Sequence, residues 1–271
     1  MPENRLKRLW QEGRPALNGW LSIANPFSAE IMATQGYDSL TVDLQHGVVD
    51  YAQAVGMFQA LAAHGVMAMA RVPWLDPGAI TKVLDAGALG VICPMINSRA
   101  EAERLVSHMR YPPLGARSFG PTRANFAHGA DYYASANESL LCFAMIETAG
   151  AMESLAEIVS TPGLDGVYVG PADLTLGITQ GRLKPGFDRE EPELVAAIQR
   201  IAETARAEGK RAGIHCGGPD YAARAIGWGY DFATISNDVR LLAGAAGASV
   251  TAFRTRLGEG AAASDQAEGG Y

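Results

Sequence analysis

No apolar run in this 271-residue sequence approaches the ~18 residues needed to span a bilayer. The opening stretch, Met1-Pro2-Glu3-Asn4-Arg5-Leu6-Lys7-Arg8, lacks the apolar core of a signal peptide. No membrane contact is therefore expected. Positive charge is also short: 22 Lys and Arg face 29 Asp and Glu, a net charge of −7, with a pI near 5.3. Phosphate backbones are bound by clustered Lys and Arg, and beyond Lys7-Arg8 there is no cluster, so nucleic acid is not an expected partner. Cysteine is scarce. Cys93, Cys142 and Cys216 are odd in number and show no metal-type spacing. Cys93 and Cys142 sit in apolar runs and read as buried free thiols, which suits a reducing cytoplasm. No Gly-x-Gly-x-x-Gly turn follows a strand, against a dinucleotide site.

Apolar residues make up 48% of the chain, enough for a large core. They fall in short runs between longer amphipathic stretches. Strands are expected at 16–22, 39–42, 66–70, 90–93, 141–146, 166–169, 211–214 and 232–235. Helical periodicity marks 52–64, with Val55, Phe58, Leu61 and Ala62 on one face, and 193–208, with Leu194, Ile198, Ile201 and Ala205. Near-continuous apolar strands alternating with helices imply a parallel sheet covered on both faces. Eight such units predict an α/β fold of the (β/α)8 TIM-barrel type in one domain, residues 1–257, with a doubly wound sheet as runner-up. Residues 111–138 read as one long loop of the kind that usually carries function. The Gly/Ala/Ser-rich tail, 258–271, reads as disordered.

In such a barrel, chemistry is built where the strands end. The ends carry Trp20, Asp43 to Gly47, Arg71 to Trp74, Pro94, Glu147-Thr148, Gly170 to Asp173, His215 to Gly218 and Ser236 to Asp238. The strand interiors have almost no polar residues. Glu147 and Asp173 end adjacent strands, so two carboxylates converge; they repel unless they share a proton or bind a cation. A Mg²⁺-type ion needs only one or two protein carboxylates. Asp173 as a mere helix-capping charge is the competing reading, and metal ligation is preferred. Asp43, three residues before His46, is placed to orient that imidazole as a base; a surface loop histidine is the alternative. Arg71 pairs structurally with Asp43 or Asp85, or serves as an electrophile for a substrate oxygen. In either role it sits at the mouth, so its replacement is expected to spare the fold. Trp20 and Trp74 line the mouth or pack its rim. Arg117 and Arg123, in the long loop, read as solvated charges.

Taken together, Asp43-Leu44-Gln45-His46-Gly47, Ala70-Arg71-Val72-Pro73, Asp85-x-Gly87, Pro94-Met95, Arg110-Tyr111-Pro112-Pro113-x-Gly115-x-Arg117-Ser118, Ile146-Glu147-Thr148 and Gly170-Pro171-Ala172-Asp173-Leu174 resemble the HpcH/HpaI aldolase family. The likeness runs from about Trp10 to Arg256. It implies a class II pyruvate aldolase, an aldehyde-lyase that reversibly cleaves 4-hydroxy-2-oxo acids to pyruvate (or a related 2-oxo acid) and an aldehyde through a metal-stabilised enolate. It implies a divalent metal (Mg²⁺, Mn²⁺ or Co²⁺) on Glu147 and Asp173, with the pyruvate carboxylate on backbone N–H groups around Gly170 to Asp173. Arg71 would support the enolate oxygen, and Asp43 with His46 would move protons. The substrate-binding set is Gly170, Ala172, Asp173, Trp20, Phe119, His215 and Asp85. A homo-oligomer is implied as well, a hexamer with the C-terminal helix of each subunit exchanged through residues 239–257.

Two positions depart from the pattern. Met145 stands where a Gln precedes the metal-binding Glu by two residues, and His215 stands where an aliphatic residue is expected, a change that bears on the aldehyde accepted. No lysine falls at a strand end, against Schiff-base chemistry. The alternatives are a CoA-thioester lyase of the malyl-CoA or citramalyl-CoA type, which should offer a basic groove, and a non-catalytic 2-oxo-acid-binding barrel.

Overall fold

The computed structural model describes residues 4–258. A short helix α1 (Arg5–Gln11) leads into β1 (Ala16–Leu21), α2 (Pro26–Ala33), β2 (Ser39–Asp43), α3 (Tyr51–Ala63), β3 (Met67–Arg71), α4 (Pro77–Asp85) and β4 (Gly90–Cys93). Then follow α5 (Arg99–Met109), α6 (Ala124–His128), α7 (Tyr132–Ser139), β5 (Leu141–Met145), α8 (Ala149–Glu153), α9 (Leu155–Val159) and β6 (Gly166–Val169). The chain continues through α10 (Pro171–Thr179), α11 (Pro192–Ala207), β7 (Arg211–Cys216), α12 (Pro219–Gly227), β8 (Phe232–Ile235) and α13 (Asp238–Arg256). The eight strands are parallel and close on themselves in sequence order, β8 pairing with β1. This is the expected (β/α)8 barrel, and each strand falls within two residues of its expected span.

Side-chain alternation along the strands makes two cores. Outward residues such as Val42, Val91, Ala144, Val169 and Ile214 pack under the helices. Inward residues Met67, Met69, Ile92, Phe143, Tyr168 and Phe232 fill the barrel, and Leu6, Leu9 and Trp10 of α1 close its floor. The interior is more polar than the sequence suggested. Asn18 Oδ1 accepts from the hydroxyls of Ser39 and Thr41 at 2.9 and 3.1 Å. Its Nδ2 donates to Thr234 at 2.8 Å, and the Tyr168 hydroxyl bonds Thr234 at 2.6 Å. The chain can bury these groups because each has found a partner.

Two expectations change at the floor of the barrel. Residues 111–138 are not one loop: α6 lies within them and α7 begins there. The segment joins a helix to the next strand, so it lies at the end opposite the strand C-termini. Arg117 is not solvated; its side chain is fully buried, pairs with Asp85 at 2.6 Å and bonds the Tyr132 hydroxyl at 3.0 Å. Arg123 donates to the Ala86 carbonyl. Both arginines are tied down because the loop folds against α4. All three cysteines are buried free thiols. The tail expectation falls on residues outside the described ones, apart from Gly258. No helix among the described residues is long and apolar enough to cross a membrane.

Candidate active site

The strand C-termini surround one cavity, lined by Trp20, Ser22, Asp43, His46, Arg71, Met145, Gly170, Ala172, Asp173, Phe187, His215 and Asn237. Its first half is built around Asp43. The parallel register sets Asp43 opposite Arg71, and the two meet as a fork: Arg71 Nε donates to Oδ1 at 2.8 Å and Nη2 to Oδ2 at 2.6 Å. Trp20 Nε1 adds a bond to Oδ2 at 3.1 Å, and the guanidinium lies 4.9 Å from the Trp20 ring centre. Arg71 Nη1 has no hydrogen bond among the described residues. Burial opposes ionisation of Asp43, but the Arg71 fork, helped by Trp20, holds its pKa below the usual carboxylate range. The structural partner of Arg71 is thus Asp43 and not Asp85.

Asp43 Oδ1 also accepts the backbone N–H groups of Gln45 and His46 at 3.1 and 3.3 Å. The carboxylate therefore shapes the 43–47 turn and sets where His46 enters the cavity. Gly47 closes that turn: a Cβ there would meet the Asp43 carbonyl oxygen at 2.3 Å.

The second half is acidic. Glu147 is 2% exposed, and its Oε1 accepts the Met95 N–H at 2.7 Å. Met95 presents that N–H from a left-handed backbone, φ 57°. A Cβ on residue 170 would lie 2.7 Å from Glu147 Oε2 and 2.9 Å from Met145 Cε, so glycine is required for β6 to end against the carboxylate. Burial raises the Glu147 pKa to about 7; the charge of Asp173 adds to this, while the Met95 N–H and Arg71 oppose it. Asp173 stands in the first turn of α10, whose cap, Gly170, offers no side-chain bond to the helix N-terminus.

This donor set fits a divalent cation. Ionised Glu147 is costly in its buried place beside a second carboxylate, and a cation relieves both causes. Among the described residues no group of three or more His, Cys, Asp or Glu comes together for a metal. Two carboxylates with the other positions left to substrate and water is the pattern Mg²⁺ takes.

Not every expected residue gathers here. Asp85 ends α4 and pairs with Arg117; because α4 returns antiparallel to the strands, it lies at the opposite end of the barrel. Phe119 is 67% exposed and packs on Tyr111 and Tyr133, with ring centres 6.0 and 5.5 Å away. Neither lines the cavity of its own chain, since the 111–138 segment folds on the floor. Trp74 is 55% exposed on the rim. Sequence reading missed Phe187 and Ser22. Phe187 lies between α10 and α11, far from any strand end, and no signal marks it. Asp238, a strand-end carboxylate, is structural: it accepts the N–H groups of Ser22 and Ile23 at 2.9 and 3.1 Å.

Fold and cavity together define a (β/α)8 barrel with an acidic site beside an arginine fork at its mouth. The family model for HpcH/HpaI aldolase/citrate lyase matches residues 18–245, and the chain belongs to that family. It is 43% identical over 243 residues to a hydroxypyruvate/pyruvate aldolase of Rhizorhabdus wittichii, an alignment covering 90% of this chain and 96% of the relative. It is 34% identical over 256 residues to a 4-hydroxy-2-oxo-heptane-1,7-dioate aldolase of Salmonella paratyphi C, covering 93% and 95%. Among solved structures, a HpcH/HpaI aldolase/citrate lyase family protein of Burkholderia cenocepacia superposes with a TM-score of 0.84 at 29% identity, covering 93% of this chain and 99% of that one.

The raised pKa of Glu147 gives a stability test. A carboxyl with a folded pKa near 7 and an unfolded pKa near 4.3 adds no penalty below the unfolded value, where both states are protonated. It costs progressively more as pH rises from the unfolded to the folded value, levelling off at about 4 kcal/mol above it. Metal-free Glu147→Gln should therefore melt above metal-free wild type at pH 8, with the gap closing toward pH 4.5. Saturating Mg²⁺ or Mn²⁺ should stabilise wild type and not the variant. Differential scanning calorimetry checks both.

Proposed function

We propose that the protein is a class II pyruvate aldolase, joining and splitting a pyruvate-type 2-oxo acid and an aldehyde, with a divalent metal held by Glu147 and Asp173. The observation that carries this is the pairing of two carboxylates, buried Glu147 and half-buried Asp173 at the N-terminus of α10, with the Arg71–Asp43 fork that lines the same cavity as Asp173. When bound, the ion supplies Lewis acidity that makes the C3 proton of a 2-oxo acid removable near neutral pH.

The chain's own groups do the rest. Helix α10 begins without a side-chain cap, so its first N–H groups, Ala172 among them, receive the substrate carboxylate; Pro171 has none to give. Arg71 Nη1 meets the negative charge that develops on the keto oxygen. His46, set by the turn on Asp43, takes a proton from C3. The freed electron pair forms the bond to the aldehyde carbon, and the proton is returned to the oxygen of the new alcohol. Cleavage runs these transfers in reverse. Mg²⁺, Mn²⁺ and Co²⁺ are the candidate ions, and a cytoplasmic site fits three buried free thiols. A CoA-thioester lyase is less well supported: among the described residues Arg71 is the only Arg or Lys lining the cavity, and the CoA phosphates need more.

We extend the proposal to a homo-oligomer, a hexamer with exchanged C-terminal helices. Helix α13 has only Asp238 buried, while Leu241, Leu242, Val250 and Phe253 are exposed. Leu241 and Leu242 join Phe27 and Ile31 around an apolar hollow that a second copy would cover. Light scattering at micromolar concentration should show an assembly larger than one chain, and Phe253→Lys should shift it toward smaller species. A wild-type monomer would refute the exchange.

Loss of metal should abolish exchange of pyruvate C3 protons with D₂O, followed by NMR, and added Mg²⁺, Mn²⁺ or Co²⁺ should restore it. Full exchange in metal-free protein, or in Asp173→Ala, would overturn the metal role.

Arg71→Lys and Arg71→Ala should each lower exchange and aldol cleavage by about 10²–10³ or more, the usual loss for one preorganised oxyanion donor. Lysine keeps the charge but not the fork. Against the expectation that the fold is spared, the burial of Arg71 argues for a stability cost. Arg71 is 6% exposed and pairs with buried Asp43, so Arg71→Ala should also cost about 3–5 kcal/mol of stability. Rates are therefore compared per folded protein, by circular dichroism. Near-wild-type exchange in Arg71→Lys would show the catalytic role to be wrong.

A further inference from the structure

Resting on the aldolase reading, we infer that His215 hydrogen-bonds an uncharged substrate hydroxyl, so that the enzyme favours substrates carrying a hydroxyl beside the carbonyl. His215 lines the cavity and is 7% exposed, yet its Nε2 has no hydrogen-bond partner among the described residues. A buried polar atom left unpaired costs about 1–3 kcal/mol. The carboxylate that acts on it, Asp43, is already taken by Arg71 and Trp20. The partner missing from the fold is one a ligand in the cavity supplies.

The ring's setting decides what that ligand group is. Phe187 stacks on His215, 4.7 Å between centres and 21° between planes. Trp20 meets it edge-on at 4.8 Å and 73°. The imidazole is thus clamped as a polar element on an aromatic wall. Burial, with help from Arg71 and against the pull of Asp43, lowers its pKa to about 3. It is neutral at working pH and offers one donor and one acceptor, which a hydroxyl complements. A second carboxylate finds no such welcome. Arg71 gives two of its three nitrogens to Asp43 and keeps the third for the keto oxygen, and Arg240 lies against the Phe187 ring at 5.6 Å.

The test is a ratio of kcat/KM values in two arms, with Mg²⁺-loaded enzyme. One arm compares hydroxypyruvate with pyruvate as donor to a common aldehyde. The other compares glycolaldehyde with acetaldehyde as acceptor for a common donor. Wild type should favour the hydroxylated member by about tenfold in at least one arm, the value of one hydrogen bond; the arm that responds shows which substrate carries the group. His215→Leu should remove that preference, and His215→Gln, which keeps a donor and an acceptor, should retain part of it. A merely structural histidine would change both members of a pair alike. An unaltered ratio in His215→Leu in both arms overturns the inference, and should that variant fail to fold, a ratio reduced to unity in neither arm by His215→Phe overturns it equally. Pyruvate C3 exchange on the same preparations separates the two levels: no exchange in wild type faults the aldolase reading and this inference with it, whereas normal exchange with no hydroxyl preference faults this inference alone.

Discussion

The ion pair between Arg71 and Asp43 organises the mouth of this barrel. Both residues are almost fully buried, where neither charge is tolerable alone. Their register on neighbouring strands gives each the other as a ready partner. Once made, the pair fixes three further things. It fixes the Trp20 ring through the second Asp43 oxygen. It fixes the 43–47 turn through the first, and it leaves one guanidinium nitrogen of Arg71 toward the cavity. An ion pair that looks like scaffold is therefore also what aims the proposed catalytic groups.

Across the cavity the opposite device operates. Asp43 is kept ionised by a matched cation, but Glu147 receives only one backbone N–H and sits beside Asp173. Its charge is underpaid within the chain, and this makes the position receptive to an external cation. Gly170 makes room for the carboxylate, since a Cβ there would lie 2.7 Å from Oε2. One half of the mouth holds a matched ion pair; the other holds a carboxylate that burial keeps from ionising readily.

How much of this was legible in the sequence follows from the range of the forces involved. Strand positions were readable because burial on both faces demands continuous apolar runs, and chemistry concentrates where those runs end. Glu147, Asp173, Arg71, His46 and His215 were found that way, and all but the buried Glu147 line the cavity. The Arg71–Asp43 pairing needed register, which parallel strands joined through helices do not reveal locally. Asp85 and Phe119 were placed in the site by likeness alone, and in the single chain they lie with Arg117, Tyr111 and Tyr133 on the far side. Phe187 escaped because it comes from a segment after α10 whose path is set by tertiary bonds. One is Asp188 accepting the Gly217 N–H at 2.7 Å; others are the stack on His215 and the cation–π contact with Arg240.

That last segment belongs to a wall built on other elements than the activating groups. The groups proposed to activate the 2-oxo acid hang on β2, β3, β5 and the start of α10, all braced by the closed sheet. The aromatic wall hangs on β1, β7 and the strap bearing Phe187, which is held by the Gly217 N–H on Asp188 and the Tyr221 hydroxyl on the Arg189 carbonyl. Among the described residues no hydrogen bond joins His215 to Glu147 or Arg71, and Trp20 is the ring that touches both His215 and Arg71.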